Sequence, residues 1–347
     1  MRVGCRVALA RYRLRAVPAP LSLTRSSMCE SKLPVDGDES AVFFRPLRVR
    51  PDELRLSVTL PTGQSFRWRR HGDDTFVGVV GRRVFALRST GDDTLFACLS
   101  EPTDDAAAEA ALREYLMLSH ELQPLHTAWA VSDARFAALL PFVRGARILR
   151  QDPLECLLSF VCSSNNNVAR IGGMVERLCV AYGEPLPLRQ AAVAYLSSSG
   201  ELPPFFAFPT AAQLGRASEG ELRSLGYGYR APFVVKTVAA LSSRPGGGDA
   251  WLASLRSPEV PTHAAVASLA EFPGVGPKVA ACAALFSLGA RPILPPGTRA
   301  VSPSFLADSS ARGPRRQARL RARRRARAPP RVRALSRLRP PGGQAAL

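Results

Sequence analysis

The stretch Leu269-Ala-Glu-Phe-Pro-Gly-Val-Gly-Pro-Lys-Val-Ala-Ala-Cys282 is the most informative part of this sequence. Apolar residues at helical spacing lie on both sides of the Pro273-Gly-Val-Gly276 turn, and Pro277 is placed to begin a second helix. Two glycines separated by one residue let the backbone of such a turn approach another molecule closely. The stretch therefore predicts two helices joined by a tight turn, which is the helix-hairpin-helix pattern.

The start of the second predicted helix is a candidate anion site. Backbone N–H groups in a first helical turn have no partner inside the helix, and the helix dipole favours negative charge there, so a DNA phosphate would fit. Lys278 lies in this turn, where the dipole and partial burial would favour the neutral amine that a nucleophile needs. The alternatives for Lys278 are a phosphate contact or a solvated side chain.

Two further polar clusters lie between predicted helices. The first belongs to the segment Arg150–Arg170, whose three successive asparagines, residues 165–167, either cap the next helix or face DNA base edges together with Arg170. The second is Leu225-Gly-Tyr-Gly-Tyr-Arg-Ala231, a turn that presents Tyr229 and Arg230 and is suited to wedging into a base stack. The alternative for the second cluster is a tyrosine packed in a loop.

The residues before these helices predict an antiparallel sheet. The segment Leu54–Leu60 alternates between apolar and polar residues, which predicts a half-buried strand. Short apolar segments separated by Gly and Asp follow at residues 66–69, 76–80, 84–87 and 94–99. A helix is predicted from Asp104 and Asp105 onwards, and the chain is predicted to be helical beyond about residue 135. The predicted fold class is therefore α+β, with an antiparallel β domain followed by a helical domain.

The net charge of +19 comes from the two ends of the chain. Residues 1–29 carry six arginines and residues 309–347 carry thirteen, with no acidic residue in either segment. Between them, 28 basic and 28 acidic residues balance, so bulk charge does not identify a partner of the folded part. The first segment fits a mitochondrial transit peptide or a disordered start, and the last could serve as a nuclear signal. The expected location is the nucleus, the mitochondrion or both.

Seven cysteines with no Cys-x-x-Cys pair disfavour a zinc ribbon or an iron–sulfur cluster, so we expect neither a metal nor a small-molecule cofactor. No apolar run approaches the length of a membrane span, and we expect no membrane partner. The expected segments are 1–29, basic and targeting or disordered; 30–134, an antiparallel β domain with a helix; 135–290, an incomplete helical domain; and 291–347, a Pro/Arg-rich disordered tail.

Together with Leu60-Pro-Thr-Gly-Gln-Ser-Phe-Arg-Trp68, the three clusters make the chain resemble the eukaryotic 8-oxoguanine DNA glycosylase family over about residues 52–289. The resemblance implies an antiparallel β domain joined to a helix-hairpin-helix glycosylase domain. It also implies the partner, double-stranded DNA that contains oxidised guanine. The expected activity is removal of 8-oxoguanine opposite cytosine, followed by cleavage at the abasic site, and a monomer is expected.

The resemblance implies a role for each matched residue. Lys278 would attack C1′ of a flipped nucleotide and form a Schiff base from which β-elimination cuts the strand. The Gly63 carbonyl would accept the N7 hydrogen that 8-oxoguanine has and guanine lacks, and Cys282 would lie against the same base. The other implied DNA contacts are Asn165, Arg170 and Arg230 at the unpaired cytosine, Tyr229 as a wedge, and Gly274 and Gly276 at the hairpin.

The chain departs from the family pattern after Leu288. The family has a Val-Pro-Val-Asp-like segment there, whose Asp supports the transition state, and then closing helices; this chain has Ala290-Arg-Pro-Ile-Leu-Pro-Pro-Gly-Thr298, and its only later acidic residue is Asp308. A shifted reading frame, a retained intron or an alternative exon would each explain the change. Two alternatives to an active enzyme therefore stay open: a catalytically impaired DNA-binding isoform and an unstable product.

Overall fold

The computed structural model describes residues 42–101, 104–197 and 204–289, all of which fall within one compact unit. The expected targeting segment at residues 1–29 and the expected tail at residues 291–347, including Asp308, lie outside the described residues. Within the described ranges, no helix is long and apolar enough to cross a membrane. The same ranges contain no group of three or more His, Cys, Asp or Glu side chains that could hold a metal ion.

An antiparallel sheet forms the first part of the described chain. Its strands are β1 Arg45–Pro46, β2 Trp68–Arg70, β3 Thr75–Val80, β4 Arg83–Ser89 and β5 Thr94–Cys98. Their order in the sheet is β1-β5-β4-β3-β2, so β2 to β5 form a meander of consecutive hairpins. The register places Trp68 opposite Gly78 and Phe85 opposite Cys98. The predicted strands between residues 66 and 99 are confirmed.

Helices make up most of the remaining described residues. They are α1 Leu56–Thr59, α2 Asp105–Tyr115, α3 Leu122–Ser132, α4 Ala134–Val143, α5 Pro153–Val161, α6 Val168–Tyr182, α7 Gln190–Ser197, α8 Ala211–Leu214, α9 Glu219–Ser224, α10 Ala231–Ser242, α11 Gly248–Ser254, α12 Thr262–Ala270 and α13 Pro277–Ser287. Short 3₁₀ turns lie at Leu60–Thr62 and Gly228–Arg230. A sheet followed by helices confirms the α+β fold class.

Polar side chains fix where three of these helices begin. Asp104 accepts a hydrogen bond from the Ala107 N–H at the start of α2, and Asp152 accepts one from the Glu155 N–H at the start of α5. Asn167 accepts from the Arg170 N–H and caps α6. Each cap satisfies an N–H group that has no partner inside its helix. The capping interpretation of the asparagine cluster is therefore confirmed for Asn167.

The predicted strand at Leu54–Leu60 is wrong, because this segment forms α1 and a 3₁₀ turn. The alternating pattern treated Thr59 as an exposed polar residue, but Thr59 is fully buried. Its hydroxyl donates to the Arg55 carbonyl at 2.9 Å, and its oxygen accepts from the Arg147 N–H at 3.2 Å. Because its hydroxyl has hydrogen-bond partners inside the protein, Thr59 can be buried in the core. One helix is predicted before residue 135, from Asp104 onwards, and the structure has a further one there, α3, which begins at Leu122.

The sheet is covered on both faces. Phe85 and Leu87 of β4 belong to a buried cluster with Leu112 of α2. Ala86 lies between them on the opposite face and belongs to a second cluster with Leu196 of α7. A third cluster lies among α5, α6, α10, α12 and α13. Because α7 belongs to the helical part of the chain and covers one face of the sheet, the two parts share a buried boundary.

A buried pair of glutamines connects the sheet side of the molecule to α5 and α13. The Gln64 side chain donates to the Arg147 carbonyl at 2.9 Å and accepts from the Leu149 N–H at 3.0 Å. The Gln151 side chain donates to the Gln64 carbonyl at 2.6 Å, and the Gln151 N–H donates to the Phe286 carbonyl at 2.8 Å. Buried amides with all these partners hold the connected segments in one arrangement.

Arg147 is a buried cation that joins three loops. Its guanidinium donates to the Glu53 carboxylate at 2.7 Å and to the Glu53 carbonyl at 2.6 Å. It also donates to the carbonyls of Met117 and His120 at 2.7 and 2.9 Å. Burial lowers the pKa of Arg147, and the Glu53 carboxylate opposes that effect. The positive charge of Arg147 is therefore paired with a carboxylate, and the nitrogens of its guanidinium donate hydrogen bonds to three backbone carbonyls.

We predict that Arg147→Ala lowers the free energy of unfolding by about 3–5 kcal/mol, because it removes the cation paired with the Glu53 carboxylate and leaves three carbonyls without the Arg147 donor. Arg50→Ala is the matched control, since Arg50 forms an ion pair with Asp52 while its side chain is 76% exposed. That control should cost less than about 1 kcal/mol. Urea denaturation at neutral pH measures both values. Equal losses would show that burial of the Arg147 charge is unimportant.

Candidate active site

The turn between α12 and α13 has the tight geometry that its glycines predict. Gly274 has a φ of 79°, which favours glycine, and a Cβ there would lie 2.7 Å from the Phe233 ring. Val275 is buried in the helical core. The Thr237 hydroxyl on α10 donates to the Pro273 carbonyl at 3.0 Å. Side chains of α10 therefore hold the hairpin in place.

The start of α13 presents backbone N–H groups to solvent. Gly276 is the N-cap residue in extended conformation, Pro277 is the first helical residue, and no described side chain caps this end. Gly274 and Gly276 are both exposed. The first-turn N–H groups, including that of Lys278, have no partner within the helix. This geometry suits a phosphate oxygen.

The Lys278 amine lies against the end of α5. Its Nζ is 2.9 Å from Ser163 Oγ and 5.2 Å from the centroid of the Phe160 ring. The side chain is exposed, so the partial burial expected from the sequence is wrong for the described residues. The reason is positional: the residue lies in the first turn of α13, on the face opposite the buried Val279 and Ala280.

Cys282 lies one helical turn after Lys278 and is buried. Burial raises the pKa of the Cys282 thiol, while the positive charge of Lys278 opposes this shift. A raised pKa keeps the group a neutral thiol at neutral pH. Cys282 can therefore pack against an uncharged ring but is not itself a thiolate nucleophile.

Gly63 ends the 3₁₀ turn after α1 with a φ of 81°. A Cβ at this position would lie 2.9 Å from Val168 Cγ2 at the start of α6. The next residue, Gln64, is bonded to Gln151, which is in turn bonded to the end of α13. The Gly63 backbone thus lies close to the start of α6 and is connected to α13 through the glutamine pair.

The asparagine cluster and the tyrosine–arginine turn meet at one backbone carbonyl. The Tyr229 hydroxyl donates to the Ser164 carbonyl at 2.9 Å, and Arg230 donates to the same oxygen. Arg230 also lies 3.5 Å from the Asn165 carbonyl. Its guanidinium lies over the Tyr229 ring, 4.3 Å from the centroid. The structure therefore brings together residues that lie far apart in the sequence.

The candidate DNA-contacting residues differ in exposure. Asn165, Arg170 and Tyr229 are exposed, and Asn165 has left-handed backbone with a φ of 47°. Arg230 is only 2% exposed, and its guanidinium is bonded to the loop that contains Asn165. Asn166 donates to the Cys162 carbonyl at 2.9 Å. Arg230 therefore supports the loop in this structure, and it would have to exchange these bonds to reach a base.

Sequence interpretation did not single out Ser163, which contacts the candidate nucleophile. It also left one signal unused: the chain has three lysines, at positions 32, 236 and 278, against 44 arginines. An arginine serves as well as a lysine for a phosphate contact, but only a lysine can become neutral near physiological pH. Lys278 is therefore one of three side chains in this sequence that could supply a lysine amine.

Comparisons with known proteins give the family. Residues 46–157 match the model of the 8-oxoguanine DNA glycosylase N-terminal domain. The chain is 41% identical over 283 residues to N-glycosylase/DNA lyase OGG1 of Arabidopsis thaliana, which covers 81% of this chain and 73% of that relative. The chain belongs to the OGG1 family. An N-glycosylase/DNA lyase of Saccharomyces cerevisiae is 33% identical over 272 residues, covering 73% of this chain and 68% of the relative.

The fold of this OGG1-family chain also matches solved structures. One is the Clostridium acetobutylicum 8-oxoguanine glycosylase/lyase in complex with double-stranded DNA containing cytosine opposite 8-oxoguanine. The TM-score is 0.59 at 24% identity, over 72% of this chain and 80% of that one. As a member of the OGG1 family, the protein is a DNA-binding, bifunctional glycosylase and lyase of DNA repair.

The Gly63 turn generates a stability prediction. Gly63→Ala adds left-handed strain, about 1–2 kcal/mol, and a clash with Val168, about 1–3 kcal/mol more. Gly72→Ala is the matched control, because Gly72 has a φ of 73° with open space where its Cβ would be. Urea denaturation should show the larger loss for Gly63→Ala, and Val168→Ala in the same chain should remove the difference. Equal losses at the two glycines would contradict the described packing.

Proposed function

We propose that this OGG1-family protein removes 8-oxoguanine paired with cytosine in duplex DNA and cleaves the resulting abasic site, with Lys278 as the nucleophile. The observation that supports the proposal most strongly is the position of the Lys278 amine. It is exposed, it lies at the uncapped start of α13 next to the glycines of the hairpin, and it lies 2.9 Å from Ser163 Oγ. A phosphate bound at the hairpin would bring the neighbouring sugar towards this amine.

The reaction follows from the chemistry of an amine. The Nζ lone pair forms a bond to C1′ of the flipped nucleotide, and the bond from C1′ to the base breaks, so the base leaves with the electron pair and takes up a proton. Loss of a proton from nitrogen and opening of the sugar ring then give a protonated imine. Removal of a C2′ proton expels the 3′ phosphate by β-elimination. The Phe160 ring, 5.2 Å from Nζ, favours the positive charge of the imine.

Gly63 is the proposed reader of the damaged base. A carbonyl oxygen accepts the N7 hydrogen of 8-oxoguanine but meets a lone pair at N7 of guanine. This discrimination requires a carbonyl that cannot turn away. The Gly63 turn lies so close to Val168 that there is no room for a Cβ, and the bonds of Gln64 restrict the adjoining backbone. Cys282, a neutral thiol one turn after Lys278, is the proposed packing surface for the base.

The cytosine preference is proposed from the loop that Arg230 supports. Asn165 and Arg170 are exposed on this loop and on the start of α6, and Tyr229 is exposed beside them. Amide and guanidinium groups can together donate to the O2 and N3 acceptors of an unpaired cytosine. The Clostridium relative was solved with cytosine opposite 8-oxoguanine, but a match at 24% identity supports the fold alone. The preference of this chain therefore rests on its own residues.

A second candidate is a DNA-binding protein with impaired base removal. It is favoured by the sequence after Lys278, in which Asp308 is the only acidic residue. Loss of a carboxylate that stabilises the developing positive charge on the sugar costs on the order of 10²–10³ in rate. Attack on a sugar that has already lost its base does not need that group. The two candidates therefore differ in which DNA substrate reacts.

We predict that borohydride traps a covalent adduct with abasic-site DNA and at least about tenfold less with 8-oxoguanine DNA, because the carboxylate assists only base removal. Lys278→Gln should abolish both adducts. Lys236→Gln is the matched control, since Lys236 is exposed on α10, and it should trap like the parent protein. Comparable trapping on both substrates would show that an acid takes the place of the missing carboxylate. Adducts that survive Lys278→Gln would contradict the proposed nucleophile.

Arg230 generates a prediction about the opposite base. Arg230→Ala should reduce the preference for cytosine over adenine opposite the lesion by about 1–3 kcal/mol, measured as the ratio of dissociation constants. Tyr229→Phe is the control, because it removes one hydrogen bond to the Ser164 carbonyl and leaves the guanidinium in place. It should retain the preference. An unchanged preference in Arg230→Ala would show that the loop does not need the guanidinium. An equal loss in both variants would assign the preference to the shared hydrogen bonds at the Ser164 carbonyl and not to the guanidinium itself.

A further inference from the structure

Ser163 makes one hydrogen bond through its backbone N–H and two contacts through its hydroxyl, and the hydroxyl contacts fix the direction of the O–H group. Its N–H donates to the Phe160 carbonyl at 3.0 Å, and its hydroxyl donates to the same carbonyl at 2.6 Å. Lys278 Nζ lies 2.9 Å from the same hydroxyl oxygen. A serine hydroxyl has one hydrogen and two lone pairs. Since the hydrogen is used by Phe160, the oxygen faces Lys278 with its lone pairs.

The direction of this hydrogen bond matters for an amine nucleophile. A neutral amine has two N–H donors and one lone pair, and only the lone pair can form the bond to C1′. A hydroxyl that donated to Nζ would occupy that lone pair. A hydroxyl that only accepts holds the amine through an N–H and leaves the lone pair available. The Phe160 carbonyl thus determines that Ser163 orients the amine without blocking it.

We propose that Ser163 is a positioning residue for Lys278, which it holds through an acceptor-only hydroxyl so that the amine lone pair is directed at the sugar. The proposal rests on the proposed role of Lys278 as nucleophile. Ser163 touches no substrate in this scheme and acts through the lysine.

The packing of α5 against α13 keeps Ser163 and Lys278 close together. The Phe160 ring is buried on α5 and stacks on Phe286 of α13, with the ring centroids 5.5 Å apart and an angle of 17° between the planes. The Phe66 ring also packs edge-on with the Phe160 ring, with the centroids 5.9 Å apart. The residue whose carbonyl orients Ser163 is therefore the residue that joins α5 to the helix of Lys278. The distance from Nζ to Oγ follows from that packing.

The chain is also fixed on the other side of Ser163. The carbonyl of the next residue, Ser164, accepts from both Tyr229 and Arg230. Ser163 therefore lies between a helix end that is packed on α13 and a loop that two side chains hold. A group held on both sides can orient a flexible lysine side chain at a small entropic cost, which is the requirement for positioning.

Three substitutions at Ser163 test the proposal. Ser163→Ala removes the acceptor, Ser163→Cys keeps the volume with a weak acceptor, and Ser163→Thr keeps the hydroxyl. The rate is that of strand cleavage on abasic-site duplex under single turnover, and binding is measured by anisotropy on a duplex with a tetrahydrofuran abasic analogue. We expect Ala and Cys to slow cleavage about 10- to 100-fold with dissociation constants within about twofold of the parent, and Thr to restore most of the rate.

Ser254→Ala is the matched control. Ser254 also ends a helix with a hydroxyl that donates to the carbonyl three residues earlier, that of Trp251, at 2.7 Å. Losing this bond should leave cleavage unchanged. Free energies of unfolding measured for every variant separate slow chemistry from a smaller folded fraction, and Ser163→Cys provides a second test if Ser163→Ala unfolds.

Several outcomes would overturn the proposal. Parental cleavage rates in Ser163→Ala and Ser163→Cys would show that the contact does not position the amine. A Thr variant as slow as the Ala variant would indicate a purely structural role. Weaker binding that accounts for the whole rate loss would place Ser163 in DNA binding. Failure of the parent protein to cleave abasic-site DNA would instead overturn the proposed function itself, and the positioning role with it.

Discussion

The hydrogen bond from the Gln151 side chain to the Gln64 carbonyl is the contact on which the site depends. Gln64 follows the Gly63 turn, and the backbone N–H of Gln151 is bonded to the Phe286 carbonyl at the end of α13. Both glutamine side chains are buried, where an unpaired amide costs about 1–3 kcal/mol. The protein therefore has a strong energetic reason to keep the base-reading turn and the amine-bearing helix in one relative position.

Other buried polar side chains hold the remaining segments of the site in the same way. Arg147 holds the loops next to the glutamine pair, Thr237 holds the hairpin, and Arg230 holds the asparagine loop, each through backbone carbonyls. Apolar packing supplies the remaining constraint, because the Phe160 and Phe286 rings join α5 to α13. The Lys278 side chain is exposed on this rigid frame, and its amine lies 2.9 Å from Ser163 Oγ. The frame thus fixes the groups against which the amine is oriented.

Sequence interpretation predicted features that have local causes. The caps at Asp104 and Asp152, the hairpin around Gly274 and the strands between residues 66 and 99 follow from residue type and periodicity. It failed where distant residues decide. Burial of Thr59 depends on Arg147, which is 88 positions away. The exposure of Lys278, the internal position of Arg230 and the contact with Ser163 likewise depend on which helices pack together, and no local pattern encodes that.

The central claim is that the Lys278 amine forms the bond to the sugar. The chain contains only two other lysines, so the site of attachment can be located without ambiguity. The borohydride-reduced adduct with abasic-site DNA would be digested with nuclease and protease, and tandem mass spectrometry would locate the residue that carries the sugar remnant. The account predicts the remnant on Lys278. A remnant on Lys32, on Lys236 or on the terminal amine would contradict it.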